Sequence, residues 1–462
     1  MPSQKWPLLI VANRLPVTRI RVKGRTQYRR SPGGLVSALT PIVQRLGGGG
    51  WVGWTGSAGP APKPFSHEGI VHVPVGISRS DLQRFYRGFC NGTIWPLYHG
   101  AVREPEYHRT WWRSYVAVNK RFADVVAGAA AAEGTVWVHD YHLQLVPALL
   151  RERRPDLRIG FFLHIPFPPE ELFGRLPWRR QILEGLLGAD VIGFQTQDGA
   201  QNFVRLAKRH ADARMEGGRV LTHGHLSTVN AFPISTDFER YDSGAREESV
   251  SKRVAEIRQQ LGRGRKIILG VDRLDYTKGI DVRLRAFWEL LSRRRHYIRG
   301  CVMIQLAVPS RQHVPEYKEL RSRVEELVGQ INGEFGEVGT TPVHYLHREQ
   351  PFHELLALYR AADVMLVTPF ADGMNLVAKE YVAARHDNTG VLILSEFAGA
   401  ARELRTALQV NPHDVDGLVE TLNLALSLPR KEVMRRMRRM REVLRRNTVY
   451  DWADSFMEAL SS

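Results

Sequence analysis

One segment, residues 363–385, constrains the fold of this 462-residue chain more than any other. Residues 363–368 are a short apolar run that ends at Pro369, which is typical of a buried parallel strand. Residues 370–375 form a polar turn, and residues 376–385 have the pattern of a helix. We therefore expect a helix N-terminus at the carboxyl edge of a sheet, where unpaired backbone N–H groups favour an anion such as a phosphate.

Two carboxylates accompany this turn. Asp372 begins it, and Glu380 lies one turn inside the predicted helix, on the same face as Leu376. A carboxylate at that place can accept hydrogen bonds from a pair of sugar hydroxyls while backbone amides hold the phosphates of the same ligand. An ordinary strand-to-helix turn with a surface glutamate explains these residues better when they are considered alone, so the interpretation depends on the rest of the chain.

Strand-like and helix-like segments alternate along the chain, which predicts an α/β architecture with parallel sheets. Two consecutive series of about 200 residues each indicate two doubly wound domains with a ligand cleft between them. We expect domains at residues 1–235 and 236–446, with a linker at 233–235 and a C-terminal helix, 447–462, that packs back on the first domain. A polar loop is expected between the first strand and Gly34. The main predicted elements are strands at 7–12, 51–54, 70–75, 136–139, 159–163, 191–194, 266–271, 302–307, 343–345, 363–368 and 391–395, a hairpin over 220–232, and helices that run from Gly33-Gly34 to about Arg45, over 376–385 and over 430–446.

The composition is that of a globular protein, with 43% hydrophobic and 24% charged residues. No apolar run approaches the roughly 20 residues needed to cross a bilayer. The only two cysteines, Cys90 and Cys301, provide neither a disulfide framework nor a zinc-binding spacing. We therefore expect a cytoplasmic protein that does not bind membranes.

The net charge of +17 is concentrated in part between Arg430 and Arg446, which contains nine Lys or Arg and two Glu. Apolar residues recur there at helical spacing, so the segment is predicted to be one amphipathic helix with a basic outer face. Nucleic acid and an acidic membrane surface are alternative partners for this face, but no nucleic-acid-binding motif accompanies the charge, and a solvated basic face explains it better. We therefore expect no nucleic-acid partner.

Six polar side chains share one position in the pattern, because each follows a predicted strand: Arg14, Asp140, His164, Arg273, Arg311 and Asp372. Ligands bind at the carboxyl ends of the strands in open parallel sheets. Each residue alone has an ordinary explanation, such as a helix N-cap for Asp140, a satisfied polar group for His164 and a salt bridge for Arg273. Their common position makes a binding site the better explanation.

Arg273 and Lys278 place two cations at the mouth of the first strand of the predicted second domain. Arginine offers a planar fork for phosphate oxygens, and lysine offers a compact point charge. Aimed at a diphosphate, this pair neutralises leaving-group charge without a metal ion. We therefore expect no cofactor and no metal, although a surface basic pair remains an alternative, more for Lys278 than for Arg273.

Nine segments that span nearly the whole chain carry a family resemblance: NRLP (13–16), SPGGLVSAL (31–39), WVGWTG (51–56), YRGFCNGTIWPLYH (86–99), VWVHDYHLQLVP (136–147), IGFFLHIPFP (159–168), DRLDYTKGI (272–280), PSR (309–311) and DGMNLVAKEY (372–381). With these motifs the chain resembles the trehalose-6-phosphate synthases. These are retaining glycosyltransferases with the GT-B fold, in which two Rossmann-like domains face each other across a cleft. We expect no appended phosphatase domain, which some members of that family carry.

The resemblance implies a role for each matching residue. The acceptor side, around glucose-6-phosphate, corresponds to Arg14, Trp54, Tyr86, Trp95 and Arg311. The donor side, around a nucleoside-diphosphate-glucose, corresponds to Gly33, Gly34, His164, Arg273, Lys278, Asp372, Gly373, Met374, Asn375, Leu376, Val377 and Glu380. The implied catalytic set is Asp140, His164, Arg273, Lys278 and Asp372.

The activity implied by the resemblance is transfer of glucose to glucose-6-phosphate with retention, which gives α,α-trehalose-6-phosphate. Front-face attack and double displacement through an enzyme carboxylate both remain open, as do the nucleotide base and the oligomeric state, for which a homo-oligomer is one option. Two alternatives are another GT-B transferase, either glycogen-synthase-like or coupling an amino-cyclitol, and a non-catalytic homologue that senses sugar phosphates. The acceptor-side set argues against another transferase, because a polymer acceptor has no phosphate to bind.

Overall fold

The computed structural model describes residues 5–22, 25–31, 34–45, 49–262, 264–311 and 314–462. The chain divides into two compact units. Unit 1 comprises residues 1–233 together with the C-terminal residues 450–462, and unit 2 comprises residues 234–449. Each unit is built around its own sheet.

The sheet of unit 1 has a parallel centre with antiparallel edges. Its strands, with one separate hairpin, are β1 (Trp6–Arg14), β2 (Val17–Val22), β3 (Arg25–Arg30), β4 (Gly50–Trp54), β5 (Phe65–His67), β6 (Ile70–Val75), β7 (Ala130–His139), β8 (Arg158–Phe162), β9 (Val191–Phe194), β10 (Arg214–Glu216), β11 (Arg219–Thr222) and β12 (His225–Ala231). The strand order is β10-β11-β12-β9-β8-β7-β1-β4-β6-β5. The order reverses at β1 and β7, which pair in parallel, so their carboxyl ends mark the place where a doubly wound sheet binds ligands.

Helices cover the sheet of unit 1. They are α1 (Gly34–Arg45), α2 (Arg79–Asp81), α3 (Trp95–Tyr98), α4 (Arg109–Ala129), α5 (Val146–Arg153), α6 (Glu170–Phe173), α7 (Arg179–Leu186) and α8 (Gln197–His210). Between α2 and α3 the chain forms a π-helical segment, Leu82–Ile94, and a short 3₁₀ turn, Tyr141–Leu143, follows β7.

Unit 2 contains a six-stranded parallel sheet of Rossmann order. Its strands are β13 (Lys266–Arg273), β14 (Cys301–Val308), β15 (Val343–Leu346), β16 (Val364–Val367), β17 (Val391–Ser395) and β18 (Leu408–Val410). They lie in the order β15-β14-β13-β16-β17-β18, so the order reverses between β13 and β16. This is the doubly wound arrangement that the alternating pattern of the sequence predicts.

The helices of unit 2 pack on both sides of that sheet. They are α9 (Phe238–Arg246), α10 (Glu248–Gln260), α11 (Ile280–Arg293), α12 (Tyr297–Gly300), α13 (Pro315–Phe335), α14 (Phe352–Ala361), α15 (Leu376–Ala384), α16 (Val415–Ser427) and α17 (Arg430–Arg446). Leu284, Phe287 and Leu290 of α11 are fully buried in the core of unit 2. In α17, Met437, Met440 and Leu444 are buried, but Arg441 is also buried and pairs with Asp242.

A last helix, α18 (Val449–Ser461), returns the chain to unit 1. Phe456 stacks on Trp137 of β7 with ring centroids 4.6 Å apart, and Trp452 meets Phe162 of β8 edge to face at 5.0 Å. The helix approaches so closely that a Cβ atom on Gly160 would lie 2.6 Å from the Phe456 ring. The C-terminal residues therefore complete the core on this side of the sheet of unit 1.

Most predicted elements are confirmed, and several coincide residue for residue with the structure, among them β6, β9, β17 and α17. The polar loop expected after β1 is wrong, because residues 17–22 and 25–30 pair as an antiparallel hairpin, from Val17 opposite Arg30 to Val22 opposite Arg25. Strand β7 begins six residues earlier than expected, at Ala130. No helix in the described part of the chain is long and apolar enough to span a membrane.

Candidate active site

Three of the predicted strand-end residues lie on adjacent strands of unit 1. Arg14 is the last residue of β1, Asp140 follows β7 directly, and His164 lies two residues after β8. Strands β1 and β8 both pair with β7 in parallel, so these three residues share the carboxyl edge of the sheet. The sequence-based expectation that they lie at one edge is confirmed.

Asp140 holds a strained backbone conformation at this edge. Its φ of 75° and ψ of 166° fall in a region that is otherwise almost restricted to glycine. The Asp140 amide donates to the Phe162 carbonyl at 2.8 Å, and its Oδ1 accepts from the His164 amide at 3.3 Å. Asp140 occupies the N-cap position of the following 3₁₀ turn, but its side chain makes no capping hydrogen bond there. Strain of this kind persists only where surrounding contacts impose it, and it is concentrated at functional sites.

The ring of His164 contacts a second histidine. Nε2 of His164 lies 3.1 Å from Nδ1 of His139, the last residue of β7. Burial lowers the pKa of His164 to about 3, and burial together with the neighbouring His164 ring holds the pKa of His139 well below its usual range. Both rings are therefore neutral at neutral pH.

Arg14 lies against one aromatic ring of the predicted acceptor side, and a second ring packs on the first. Its guanidinium lies 4.9 Å from the Trp54 ring centroid, and Tyr86 meets Trp54 edge to face at 5.5 Å. Burial lowers the pKa of Arg14, so its positive charge is only partly solvated. A Cβ atom on Gly56, which has a φ of +93°, would collide with the Arg14 guanidinium. The glycine therefore provides the space that the arginine occupies.

Tyr86 and Trp95 lie on or next to the π-helical segment Leu82–Ile94. Trp95 is buried against His99, with ring centroids 4.0 Å apart, and the Asn91 amide donates to the Tyr86 carbonyl at 2.6 Å. Segments of π-helix occur frequently at functional sites. The sequence identified the residues through the family motif but did not predict this conformation.

In unit 2, the loop after β13 is organised by a fully buried carboxylate, Asp275. Its Oδ1 accepts from the amide and hydroxyl of Thr277 at 3.0 and 2.9 Å, and its Oδ2 accepts from Tyr317 at 2.9 Å and from Arg311 at 3.2 Å. Burial opposes ionisation of this carboxyl, but Arg311 and then Arg273 and Lys278 outweigh it and lower the pKa of Asp275 to about 2. Asp275 therefore holds Arg311 in place.

Lys278 and Asp372 form an ion pair at the point where the strand order of unit 2 reverses, between β13 and β16. Lys278 follows β13, Asp372 follows β16, and Nζ lies 2.6 Å from Oδ2. The Asn375 amide donates to the same Oδ2 at 3.0 Å. The structure thus brings together two residues that the sequence predicts at one ligand.

A buried arginine supports the loop from behind. Arg283 of α11 is fully buried and pairs with Asp272, the penultimate residue of β13. It also donates to the Lys278 carbonyl at 3.1 Å and to the Thr368 hydroxyl at 3.1 Å. Arg283 therefore connects the segments that carry Lys278 and Asp372.

The turn before α15 has the predicted strand–turn–helix geometry. Asn375, with a φ of 76°, caps the helix by accepting from the Ala378 amide at 3.1 Å. The amide of Gly399 donates to the Asp372 carbonyl at 3.1 Å, and that of Ala400 donates to the Met374 carbonyl at 2.8 Å. These bonds anchor the turn so that the N-terminus of α15 is presented at the carboxyl edge of the sheet.

Glu380 is half-buried on α15 and is bound by a tyrosine. The Tyr359 hydroxyl donates to its Oε2 at 2.9 Å. Burial raises the pKa of Glu380, while hydrogen bonds from Tyr359 and Tyr241 oppose that shift. The side chain is therefore fixed in orientation.

One further predicted donor residue lies at the start of α1. Gly34 is its first residue, and Gly33 lies outside the described residues. Within the described ranges, no group of three or more His, Cys, Asp or Glu side chains is arranged to hold a metal ion.

Three residues that organise the site were missed by the sequence analysis: His139, Asp275 and Arg283. Each contacts a predicted site residue or its loop through the side chain. A signal was present, because each is a polar residue inside or directly beside an apolar stretch, where a polar side chain requires a partner.

Comparisons with known proteins agree with this geometry. The family model described as glycosyltransferase family 20 matches residues 7–462. A trehalose-6-phosphate synthase of Mycobacterium avium is 53% identical, over 98% of this chain and 95% of that protein. An α,α-trehalose-phosphate synthase (UDP-forming) of Burkholderia xenovorans, solved with glucose-6-phosphate, is 36% identical, with a TM-score of 0.91 over 98% of this chain and all of the other. The Escherichia coli enzyme bound with UDP-2-fluoro glucose is 33% identical, with a TM-score of 0.89 over 98% of this chain and 99% of that one.

The fold expected from the sequence, GT-B with two Rossmann-like domains, is confirmed by these structural likenesses and by the strand order of each unit. The family match covers nearly the whole chain, and the sequence relatives match over almost their full length. This chain belongs to glycosyltransferase family 20.

Proposed function

We propose that this protein transfers glucose from a nucleoside-diphosphate-glucose to glucose-6-phosphate with retention at the donor carbon. The products are α,α-trehalose-6-phosphate and the nucleoside diphosphate. The observation that carries the proposal is the identity of 53% to a trehalose-6-phosphate synthase over nearly the full length of both chains. Structural relatives bind glucose-6-phosphate and UDP-2-fluoro glucose, and the latter makes a uridine nucleotide the first donor to test.

On the donor side, we assign the diphosphate to Arg273, Lys278 and the N-terminus of α15. The cap of that helix uses the Ala378 amide, which leaves the amides of Leu376 and Val377 for phosphate oxygens. An approaching diphosphate competes with Asp372 for Lys278, whose ammonium has three donors and can serve both. The charge that grows on the leaving group is then met by fixed cations, so no metal is required.

The remaining donor contacts are assigned to Glu380, Asp372 and His164. Tyr359 fixes the Glu380 carboxylate, which suits it to accept from a pair of sugar hydroxyls. We assign the transferred glucose to Asp372 and His164, and we place Asp140 near the reacting carbon. Asp140 is held in its strained conformation by bonds to Phe162 and His164, so its position is set before substrate binds.

On the acceptor side, we assign the phosphate of glucose-6-phosphate to Arg14 and Arg311. Arg14 is partly desolvated beside Trp54, so its attraction for a dianion is less screened than at an open surface. Nη1 of Arg311 donates to Asp275 and to Tyr317, and these bonds fix the orientation of its guanidinium. Trp54, Tyr86 and Trp95 supply the aromatic surroundings of the sugar.

We also propose that the protein acts in the cytoplasm. The two cysteines, Cys90 and Cys301, are both buried and unlinked, which suits a reducing compartment. Cell fractionation with an antibody to the protein tests this assignment, and recovery in an exported fraction would refute it.

One activity panel tests the proposed reaction. Purified protein is incubated with glucose-6-phosphate and, in turn, uridine, guanosine and adenosine diphosphate glucose, and nucleotide release is followed by a coupled assay. We expect release only when donor and acceptor are both present, and an NMR spectrum of the product with two α-linked anomeric carbons. Nucleotide release without acceptor, a β-linked product, or no turnover with any of the three donors would refute the proposal.

A further inference from the structure

The hydrogen bond between His139 and His164 can run in either direction. The distance between the two nitrogen atoms does not show which ring is the donor. Each neutral imidazole carries one proton, so one ring donates to the other across the 3.1 Å between Nδ1 of His139 and Nε2 of His164. Which ring donates decides which nitrogen of His164 is protonated. That choice in turn decides whether His164 offers a ligand a donor or an acceptor.

The surroundings of His139 favour one answer. Its ring is fully buried beside Trp137, with centroids 4.7 Å apart, and its Nε2 has no hydrogen-bond partner among the described residues. Orphaned buried N–H groups are rarer in folded proteins than acceptors that lack a partner. The proton of His139 therefore belongs on Nδ1, where it is donated to Nε2 of His164.

The consequence for His164 follows directly. Its Nε2 is occupied as an acceptor, so its own proton lies on Nδ1. No described residue forms a hydrogen bond with Nδ1 of His164, which is the ring nitrogen that His139 does not engage. Phe162 flanks the ring at 4.8 Å, so this contact and the bond to His139 fix the ring at the carboxyl edge of the sheet.

We propose that His139 is a positioning residue that holds His164 in the Nδ1–H form and so commits it to donate a hydrogen bond to an oxygen of the nucleotide-sugar donor. This inference rests on the proposed function, in which His164 contacts that substrate. The two residues form a chain of hydrogen bonds in one direction, from His139 through His164 to the ligand.

The tautomer is measurable without any activity. Long-range ¹H–¹⁵N NMR correlations of ring nitrogens distinguish protonated from unprotonated nitrogen in the intact, ¹⁵N-histidine-labelled protein, and the His164→Gln variant assigns the His164 signals. We expect Nδ1 of His164 to be protonated and Nε2 unprotonated. The opposite pattern, with His139 directing its Nε2–H at the Trp137 ring, would overturn the proposal whatever the enzyme catalyses.

A matched pair of variants tests the consequence for the reaction. In His139→Asn the amide N–H group takes the place of Nδ1–H, whereas in His139→Leu no donor remains. We expect the leucine variant to lose about 10- to 100-fold in kcat, as for one hydrogen bond to a charged or polar group, and the asparagine variant to stay within a few-fold of the native enzyme. The NMR spectrum should retain the Nδ1–H form of His164 only in the asparagine variant.

Folding and substrate binding are separated from this effect by two controls. Thermal unfolding of both variants shows whether either has lost the fold, and calorimetry with UDP shows whether the nucleotide site is intact. Equal losses of kcat in both variants, or native kcat in the leucine variant, would overturn the positioning role. If the native protein lacks transferase activity, the proposed function is refuted. The NMR measurement of the His164 tautomer remains an independent test of the role of His139.

Discussion

Replacing Asp140 with glycine should relieve backbone strain at the end of β7 while it removes a carboxylate from the candidate site. The residue has a φ of 75° and a ψ of 166°, a conformation that costs a non-glycine residue about 1–3 kcal/mol. Alanine at the same place keeps that strain and also lacks the carboxylate. The difference in stability between the Asp140→Gly and Asp140→Ala variants therefore isolates the strain.

The expected difference follows from two opposing terms. Glycine removes the strain but loses about 0.5–1 kcal/mol relative to alanine, because its unfolded chain is more flexible. The net advantage of glycine is then about 0–2.5 kcal/mol, with a central value of about 1.3 kcal/mol. For a unit of this size each kcal/mol shifts Tm by about 2–4 °C, so at that central value Asp140→Gly should unfold about 3–5 °C above Asp140→Ala.

The assay is thermal unfolding followed by tryptophan fluorescence, with the same pair of substitutions at a control position. Lys120 is an exposed residue within α4, where alanine should be the more stable of the two by about 0.5–1 kcal/mol. The glycine variant should therefore be the more stable of the two at position 140, and the alanine variant at position 120. An Asp140→Gly variant that unfolds at or below the temperature of Asp140→Ala would refute the strain argument, and both variants should lose most of the transferase activity.

The elements that the sequence predicts well have local signals. Residues 364–367 are a short apolar run closed by a proline and a polar turn, and the strand and the following helix appear almost where that pattern places them. The same holds for β9 and β17, whose predicted and observed bounds agree. A short apolar stretch in a doubly wound protein is readily identified as a strand of the parallel sheet, because both faces of such a strand are buried.

The elements that were missed lack such signals. The sequences of β2 and β3 contain five arginines and no sustained alternation of apolar and polar residues, so they are more typical of a loop. The start of β7 at Ala130 is alanine-rich, and alanine favours helix. The π-helical segment Leu82–Ile94 has a hydrogen-bond pattern for which sequence periodicity gives no template.

The residues of the candidate site also fall into two groups, those that the sequence predicted and those that it missed. Residues expected to touch a ligand, such as Arg14 and Lys278, were predicted because strand ends and family motifs identify them. Residues that act on these through a second side chain were missed, because the partners are distant in sequence. His139 and His164 are 25 residues apart, and Asp275 and Arg311 are 36 apart, so only the folded sheet shows that they meet.

Four further predictions test the site. Arg273→Ala and Lys278→Ala should each lower kcat/KM by about 10- to 100-fold, because leaving-group charge grows in the transition state; near-native values in both, with the fold intact, would contradict the clamp. Activity should survive exhaustive chelation, and a loss that one particular divalent ion restores would contradict this. Arg14→Leu should weaken use of glucose-6-phosphate severely while calorimetric affinity for the nucleotide sugar stays nearly native; equal weakening of both would assign Arg14 elsewhere. Finally, stability should fall in acid, because His139 and His164 stay neutral when folded but bind protons when unfolded. Since the folded pKa of His164 is about 3 and the unfolded value is about 6.5, the loss begins as the pH falls below about 6.5 and continues toward about 3. Each histidine adds up to about 1.4 kcal/mol per pH unit to that slope. Urea unfolding at a series of pH values should show a shallower slope in His139→Asn than in the native protein, and an unchanged slope would mean that His139 is protonated in the folded state.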